Sequence, residues 1–181
     1  MNGISLVIPT QEDAERIAAY RAEFPAGRAR VTYDPDRIPG IDHLERFSTV
    51  SEWLRFCETQ KERITWFMSV RAGDDRILGF CCLRHRLEYD DDDPAFASHI
   101  GYSIRPSEQG KGCGREQLRL ALEKAREAGI ETVRIVCSDA NAGSIRVILA
   151  NGGRYIDSIY GDESGLTVNR YDIPLNHSFQ A

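Results

Sequence analysis

Three glycines within five residues mark the part of this chain best suited to binding an anion. The segment from Gln109 to Gly114 reads QGKGCG; it follows a strand-like run at 99–104 and opens a helix-like run near Arg115. Glycines leave the backbone bare, so several N–H groups can turn toward one ligand. The helix start adds unsatisfied donors and the positive end of a dipole. The spacing therefore predicts a phosphate-binding loop.

Two common nucleotide-binding motifs fit this loop poorly. A P-loop needs Gly-x-x-x-x-Gly-Lys-[Ser/Thr], because its lysine and hydroxyl serve the terminal phosphates and magnesium. Here Lys111 precedes Gly112, and no Ser or Thr follows the last glycine. A dinucleotide fingerprint needs Gly-x-Gly-x-x-Gly at the start of a βαβ unit, whereas this loop is Gly-x-Gly-x-Gly and follows a predicted hairpin. The ligand is therefore expected to be a different phosphate compound.

Length and composition predict one globular domain spanning residues 1–181. Of its 181 residues, 41% are hydrophobic and 28% charged, which is ordinary for a globular protein with a substantial core. No run approaches the roughly 18 apolar residues of a membrane span, and the first nine residues read as a strand rather than a leader. A net charge of −5 argues against general nucleic-acid binding, which needs a basic face.

Cysteine and histidine usage predicts a reduced protein without a metal site. The five cysteines are odd in number, two are adjacent, and none forms a Cys-x-x-Cys pair. This is not the pattern of a disulfide framework. The four histidines are scattered, so a structural zinc site is not expected either. The composition thus favours a cytoplasmic protein.

Hydrophobic periodicity and helix caps predict the order of the strands and helices that position the glycine loop. In the first part they predict a strand at Ile4–Ile8, a helix after Thr10, a loop at Ala26–Asp42, a helix capped by Thr49 and Glu52, strands at Ile64–Val70 and Ile77–Leu87, a loop at Glu88–Asp93 and a strand at Ala97–Ile104. The second part predicts a helix at Arg115–Ala128, a strand at Thr132–Cys137, a helix at Asn141–Ala150 and strands at Arg154–Tyr160 and Leu166–Ile173. The fold class is α/β of the α+β type: a mixed, mostly antiparallel sheet flanked by helices.

Loop, spacing and element order together resemble one known family. The segment Gln109 to Gly114 resembles the Gln/Arg-x-x-Gly-x-Gly/Ala signature of the GNAT superfamily of N-acetyltransferases. The stretch Asn141-Ala142-Gly143-Ser144, which leads to Asn151-Gly152-Gly153, resembles the second half of that superfamily. The order from Ile4 to Ile173 also resembles its fold, so the likeness covers nearly the whole chain.

The resemblance implies that the phosphate compound is acetyl-CoA, used as a co-substrate without a metal. Its pyrophosphate would lie on the loop, and its pantetheine arm would pair with the strand before the loop and fill a gap beside the strand at Thr132–Cys137. The implied contacts are Tyr102, Ser103 and Ile104 for the arm, Gln109, Gly110, Lys111, Gly112, Cys113, Gly114 and Arg115 for the pyrophosphate, and Asn141 with Ser144 for the arm. The alternative for Asn141 and Ser144 is simple helix capping.

Acetyl transfer to an amine also needs proton-transfer groups, and several residues compete for them. His99 begins the strand that should hold the thioester, and its ordinary pKa suits a base; Glu88 is the second candidate. The alternative for His99 is a hydrogen bond that fixes the strand edge. Ile148 occupies the region where relatives often place a tyrosine acid, so the candidate acids are Tyr102, Tyr155 and Tyr160; the alternative for each is an aromatic residue packed on the sheet.

The sequence therefore predicts a transferase that moves an acetyl group from acetyl-CoA to a small-molecule amine by direct attack in a ternary complex. The alternatives are a non-catalytic acyl-CoA-binding module, a protein or peptide N-acetyltransferase, and transfer of a different acyl group. The acidic run 90–93 could attract a cationic acceptor, whereas Arg84, His85 and Arg86 could favour one with a carboxylate or merely flank the end of the hairpin. A homodimer is plausible for the fold.

Overall fold

The computed structural model describes residues 3–25, 37–89, 96–161 and 165–175. Its strands and helices occur in the order that the sequence predicts. They are β1 (Ile4–Val7), α1 (Ala14–Ala22), α2 (Val50–Gln60), β2 (Ile64–Arg71), β3 (Asp74–Arg84), β4 (Ile100–Ile104), α3 (Cys113–Glu127), β5 (Thr132–Ser138), α4 (Ala142–Ala150), β6 (Arg154–Gly161) and β7 (Leu166–Pro174). The mixed α/β class with antiparallel strands and flanking helices is therefore confirmed.

The strands form two sheets, where the sequence predicted one. The first has the order β1-β2-β3-β4 and the second the order β5-β7-β6, with antiparallel neighbours in both. A backbone hydrogen bond of 2.9 Å from His99 to Arg134 joins them at the start of β4 and β5. The division matters for function, because it opens a gap between β4 and β5.

Several predicted boundaries shift by two or three residues. β3 ends at Arg84, because the N–H of that residue donates to His99 at 2.7 Å and closes the last rung, and a 3₁₀-helix then occupies Leu87–Tyr89. β4 begins at Ile100, and α3 begins at Cys113, two residues before the predicted start. The expected loop at 26–42 lies outside the described residues over 26–36, as does the acidic run 90–93.

Helices cover both faces of the β1–β4 sheet and so fix the position of β4. On one face, Leu118, Ala121 and Ala125 of α3 pack in a buried cluster with Val133 and Ile135 of β5. On the other face lies a second cluster with residues of α1 and α2, which includes Ile17, Tyr20, Trp53, Trp66 and Phe80. No helix in the described ranges is long and apolar enough to cross a membrane.

The start of α2 shows the capping box predicted from Thr49 and Glu52. The N–H of Thr49 donates to the Glu52 carboxylate at 3.0 Å, and the N–H of Glu52 donates to the Thr49 hydroxyl at 3.2 Å. Each side chain satisfies a donor that the helix start would otherwise leave open. Trp53 and Leu54, which follow the box, are buried in the core. Local sequence alone therefore sets this helix.

Candidate active site

A cleft opens where β4 and β5 diverge beyond His99 and Arg134. Within the described residues, β4 pairs with β3 alone and β5 with β7 alone. The cleft has a volume of about 140 Å³. Its walls consist of Ile100, Gly101 and Tyr102 from β4, Ile135, Val136, Cys137 and Ser138 from β5, Asn141 and Ser144 at the start of α4, Val168, and at the far end Arg37, Pro39, Asp42, Arg84, Phe96 and Ser98.

The register of β4 decides which of its amides face this cleft. In an antiparallel ladder, hydrogen-bonded and non-hydrogen-bonded residue pairs alternate along the strand. The rungs from Arg84 to His99 (2.7 Å) and from Arg105 to Leu78 (2.9 Å) make 99, 101, 103 and 105 the residues that bond β3. The N–H and C=O groups of Tyr102 and Ile104 therefore point away from β3; Tyr102 lines the cleft, whereas the carbonyl of Ile104 accepts from Gln109.

Ser103 faces the opposite way, which corrects its predicted contact with the pantetheine arm. Its backbone is paired with Phe80 of β3. Its hydroxyl donates to the carbonyl of Pro39 at 2.5 Å and lies 3.0 Å from the hydroxyl of Tyr20. Because backbone and side chain both face other elements, Ser103 anchors the 37–42 segment to the sheet.

The glycine loop turns at two residues with left-handed backbones. Gly110 has φ +75° and Gly112 has φ +84°, a conformation that side chains with a Cβ rarely adopt. Gly112 is the N-cap of α3, so the amides of the loop and of the first helical turn converge beside the end of β4. Gln109 braces this arrangement, because its side-chain amide donates to the carbonyl of Ile104 at 3.1 Å.

The remaining loop residues divide between support and exposure. Lys111 is exposed, and its ammonium lies 3.4 Å from the buried carboxylate of Glu108. Cys113 is buried, which places its thiol in the core and leaves its amide to the loop. Arg115 is exposed on the first turn of α3. The loop thus presents backbone donors framed by two cationic side chains.

Ion pairs hold the turn in front of the loop. Arg76 of β3 contacts Glu108 at 3.2 Å and Glu23 at 3.1 Å, so it ties the 3₁₀-helix Pro106–Glu108 to the end of α1. The hydroxyl of Ser107 and the guanidinium groups of Arg105 and Arg76 lower the pKa of Glu23 to about 2. These ion pairs therefore hold in place the residues that precede the glycine loop.

Tyr102 reaches across the cleft from β4 to α4. Its hydroxyl lies 2.7 Å from the hydroxyl of Ser144. Burial raises the pKa of Tyr102 well above its usual range, so the phenol stays protonated at neutral pH. Asn141 caps α4 by accepting from the N–H of Ser144 at 3.0 Å, which is the capping alternative, while its side chain also lines the cleft.

His99 has the geometry of the structural alternative rather than that of a free base. Its Nδ1 accepts a hydrogen bond of 2.9 Å from the N–H of Arg134. Burial and the positive charge of Arg134 lower its pKa to about 4, against a smaller opposing effect of Asp172. The ring is therefore neutral at pH 7, with its proton on Nε2. A base whose acceptor nitrogen is already occupied is poorly placed to take a proton.

The other candidates for proton transfer lie outside the cleft walls. Glu88 is exposed in the 3₁₀-helix Leu87–Tyr89, near enough for its charge to raise the pKa of His99. Tyr155 and Tyr160 are 55% and 62% exposed on β6. Ile148, at the position where a tyrosine acid was considered, is fully buried. Tyr102 is thus the candidate acid that the fold brings into the cleft.

Sequence reasoning missed the buried charges at the far end of the cleft. The carboxylate of Asp42, which is 2% exposed, accepts from Arg84 at 2.7 Å, from Arg37 at 3.1 Å and from the thiol of Cys82 at 2.9 Å. Burial alone would raise the pKa of Asp42, but the two guanidinium groups hold it well below its usual range. No local pattern signals this cluster, because Asp42 and Arg84 are 42 positions apart.

No cluster of three or more His, Cys, Asp or Glu side chains in the described ranges could hold a metal ion. The site instead consists of a split between two strands, a glycine loop at a helix start and a half-buried tyrosine. Residues 4–154 match the family described as the acetyltransferase (GNAT) domain. The chain belongs to this family.

Individual relatives agree with that assignment. A mycothiol acetyltransferase from Sanguibacter keddieii is 28% identical over 88 residues, which are 49% of this chain but 27% of that enzyme. The chain thus matches about a quarter of the length of this curated relative.

Two solved structures share the fold at low identity. RimL, a ribosomal-protein alpha-N-acetyltransferase in complex with coenzyme A, has a TM-score of 0.71 at 14% identity and covers 96% of this chain and 95% of its own. The structure of yncA from Salmonella typhimurium with acetyl-CoA has a TM-score of 0.62 at 18% identity and covers 98% and 97%.

Proposed function

We propose that this protein is an N-acetyltransferase that moves the acetyl group of acetyl-CoA to the amine of a small molecule. The observation that carries the proposal is the cleft between β4 and β5, which Tyr102 lines with its amide turned away from β3, together with the glycine loop that follows β4 at the start of α3. Solved structures with the same fold hold coenzyme A or acetyl-CoA.

The residues present fit such a donor. The amides of Tyr102 and Ile104 are two residues apart, roughly 7 Å along a strand, and can pair with the pantetheine amides as a neighbouring strand would. The backbone donors of residues 110–115 suit a pyrophosphate at a helix start, because the dipole and the open N–H groups both favour negative charge there. Asn141 lines the same cleft, and its amide nitrogen is proposed as a further donor to the arm.

Transfer proceeds by direct attack in a ternary complex. The neutral amine attacks the thioester carbonyl, a β4 amide that faces the cleft stabilises the oxyanion, and the carbon–sulfur bond then breaks. Holding both substrates in one cleft supplies the proximity term. The acceptor ammonium loses its first proton toward Glu88 through water before the attack; Tyr102 then gives its phenolic proton to the departing thiolate and regains a proton from the nitrogen of the collapsing intermediate. A trapped acetyl-enzyme would contradict this sequence of steps.

Removal of the Tyr102 hydroxyl is expected to slow turnover and spare binding. In Tyr102→Phe, kcat should fall by about 100-fold, the lower part of the range for a lost general acid. The ring remains in the wall, so the Kd for acetyl-CoA should stay within about twofold. Steady-state thiol release and calorimetric titration measure the two quantities. Tyr155→Phe is the matched control, because that hydroxyl lies outside the cleft; equal kcat in both variants would remove Tyr102 as the acid.

Glu88 is expected to act as the base, because Nδ1 of His99 is already occupied. In Glu88→Gln, kcat/KM should fall by about 100-fold at neutral pH, and the residual rate should rise with pH as hydroxide replaces the base. The pH profile of thiol release measures this. Glu58→Gln, which neutralises an exposed carboxylate of α2, is the control. A fully active Glu88→Gln variant would leave water as the proton acceptor.

The acceptor is identified by a panel of amines. Thiol release from acetyl-CoA is measured with small aliphatic and aromatic amines, amino acids, peptides with a free N-terminus and lysine peptides, while binding of acetyl-CoA is titrated separately. Turnover with a small amine supports the proposal. Turnover with peptides alone would favour a protein N-acetyltransferase, and tight binding without turnover would favour a non-catalytic module. A chain that binds no acyl-CoA would refute the proposal.

We extend the proposal to a cytoplasmic location, which the free state of all five cysteines supports. Thiols of this kind persist in reducing compartments. Fractionation with a tagged chain tests the location. Homodimerisation is proposed from the resemblance alone, and sedimentation at micromolar concentration tests it.

A further inference from the structure

His99 occupies the point at which the two sheets meet and then separate. Its N–H donates to the carbonyl of Arg134 at 2.9 Å, and its own carbonyl accepts from Arg84 at 2.7 Å. On the other side of the same junction, the N–H of Arg134 donates at 2.9 Å to the imidazole Nδ1. An aromatic ring thus stands where a strand partner would normally supply a backbone carbonyl.

This substitution explains why the ladder stops. A buried N–H must find an acceptor, and between neighbouring strands that acceptor is ordinarily a carbonyl. The carbonyl of His99 accepts from Arg84 of β3, so the next rung toward β5 is not made, and the ring is the acceptor for the N–H of Arg134. Ile100 on β4 and Ile135 on β5, the next residue of each strand, line opposite walls of the cleft, and Ser98 lines its far end. The imidazole therefore joins the two strands at the point from which those walls diverge.

Neighbouring groups hold the strands around the ring in register. The hydroxyl of Ser98 donates to the carbonyl of Ile100 at 3.0 Å and to that of Arg134 at 3.4 Å. The guanidinium of Arg134 makes two contacts of 2.9 Å with the carboxylate of Asp172 on β7, which orients the strand that the ring meets. His99 itself is 9% exposed. The junction is a packed, hydrogen-bonded unit in which the ring is an acceptor.

We propose that His99 is a positioning residue that sets the apex and width of the acyl-CoA cleft through its Nδ1 acceptor, and that it does not take the ammonium proton. This inference rests on the proposed function for the meaning of the cleft. The imidazole accepts the hydrogen bond from Arg134 that a backbone carbonyl of a neighbouring strand would ordinarily accept. The backbone amide of Tyr102 then faces the cleft, whose width is fixed, and does not pair with β5.

Two amides that differ by one methylene test the inference. In His99→Asn the oxygen lies two bonds from Cβ, as Nδ1 does, and can still accept from Arg134. In His99→Gln the oxygen lies one bond further and cannot occupy the same place. We expect His99→Asn to keep the Kd for acetyl-CoA and the kcat within about threefold, and His99→Gln and His99→Ala to raise the Kd about tenfold or more, because the buried N–H loses its acceptor.

If His99 were the general base, the variants would show the opposite pattern. His99→Asn would then be as inactive as His99→Ala at unchanged Kd. The acidic limb of the pH profile of kcat/KM would also be lost, whereas we expect His99→Asn to retain it. That result would overturn the inference. His85→Asn is the matched control, because its ring bonds the hydroxyl of Thr65 at 3.0 Å, away from the cleft walls.

Hydrogen exchange separates this inference from the proposed function. The amide of Arg134 should be protected in the wild-type chain and in His99→Asn, and should exchange about tenfold faster or more in His99→Gln and His99→Ala. This readout needs no acyl-CoA. A wild-type chain that binds no acyl-CoA but shows this pattern refutes the function and supports the junction, whereas equal protection in all four proteins refutes the junction.

Discussion

Valine at position 112 is expected to abolish most of the affinity for acetyl-CoA while the fold persists. Gly112 has φ +84°, and a Cβ there would meet no atom within 4 Å, so the change acts on backbone conformation and not on packing. Left-handed backbone costs an ordinary L residue roughly 1–2 kcal/mol, and a β-branched residue more. Relief of that strain should rotate the amides at the start of α3 away from the position that we propose for the pyrophosphate.

The expected rise in Kd is about tenfold to 100-fold, since each 1.4 kcal/mol is a factor of ten. Gly129 supplies a matched control at the other end of the same helix. Its φ is +79°, and a Cβ there also meets nothing within 4 Å. Gly129→Val should therefore carry a similar strain without touching the loop. Titration with acetyl-CoA measures the Kd of both variants, and their melting curves show whether both remain folded. A similar Kd in the two variants would contradict the role of the loop in binding acetyl-CoA.

Features set by nearby residues were predictable from the sequence. The capping box of Thr49 and Glu52 and the glycines of the 109–114 loop each act within a few positions, and each stands where the sequence predicted it. The order of the strands and helices was also predictable, because each element shows its own hydrophobic periodicity and is bounded by residues that end helices or strands. The resemblance to the acetyltransferase family rests on the same local signals.

Features set by pairing between distant residues were not predictable. Whether Tyr102 or Ser103 turns its amide to the cleft depends on the register with β3, which a shift of one residue would reverse. The acceptor role of His99 requires Arg134, 35 positions away. Asp42 stood in the sequence as the end of a loop; its buried charge becomes visible only when β3 brings Arg84 beside it. The glycine loop is thus a local feature, whereas the buried charges at the far end of the cleft are a product of the fold.

The buried charges at that end lead to the largest expected change in stability. Arg84 and Asp42 are 3% and 2% exposed, and they meet at 2.7 Å on the floor of the cleft. The indole N–H of Trp53 also donates to the backbone carbonyl of Asp42 at 3.0 Å, so the segment is held to both β3 and α2. Loss of the carboxylate should loosen the far end of the cleft and the core beneath it.

Asp42→Ala is expected to lower the free energy of unfolding by about 3–5 kcal/mol, the usual cost of removing one partner of a buried ion pair. Urea denaturation measures it. Glu123→Ala, which breaks an exposed pair with Arg119 on α3, should cost about 0.5 kcal/mol or less. A loss for Asp42→Ala no greater than that of this control would contradict the prediction. The double variant Asp42→Leu with Arg84→Met should recover much of the loss, because apolar side chains can replace a buried ion pair.

The same carboxylate predicts how stability depends on pH. Burial would raise its pKa, yet Arg84 and Arg37 hold the pKa in the folded chain below the value of about 3.9 for an unfolded aspartate. The unfolded chain therefore binds the proton first, so the contribution of Asp42 is fully present above about pH 4 and declines as the pH falls further. Asp42→Ala lacks this contribution at every pH. The difference in unfolding free energy between wild type and variant should thus be constant from pH 7 to pH 5 and shrink below pH 4, and a difference that stays constant to pH 2 would remove the ion pair as its source.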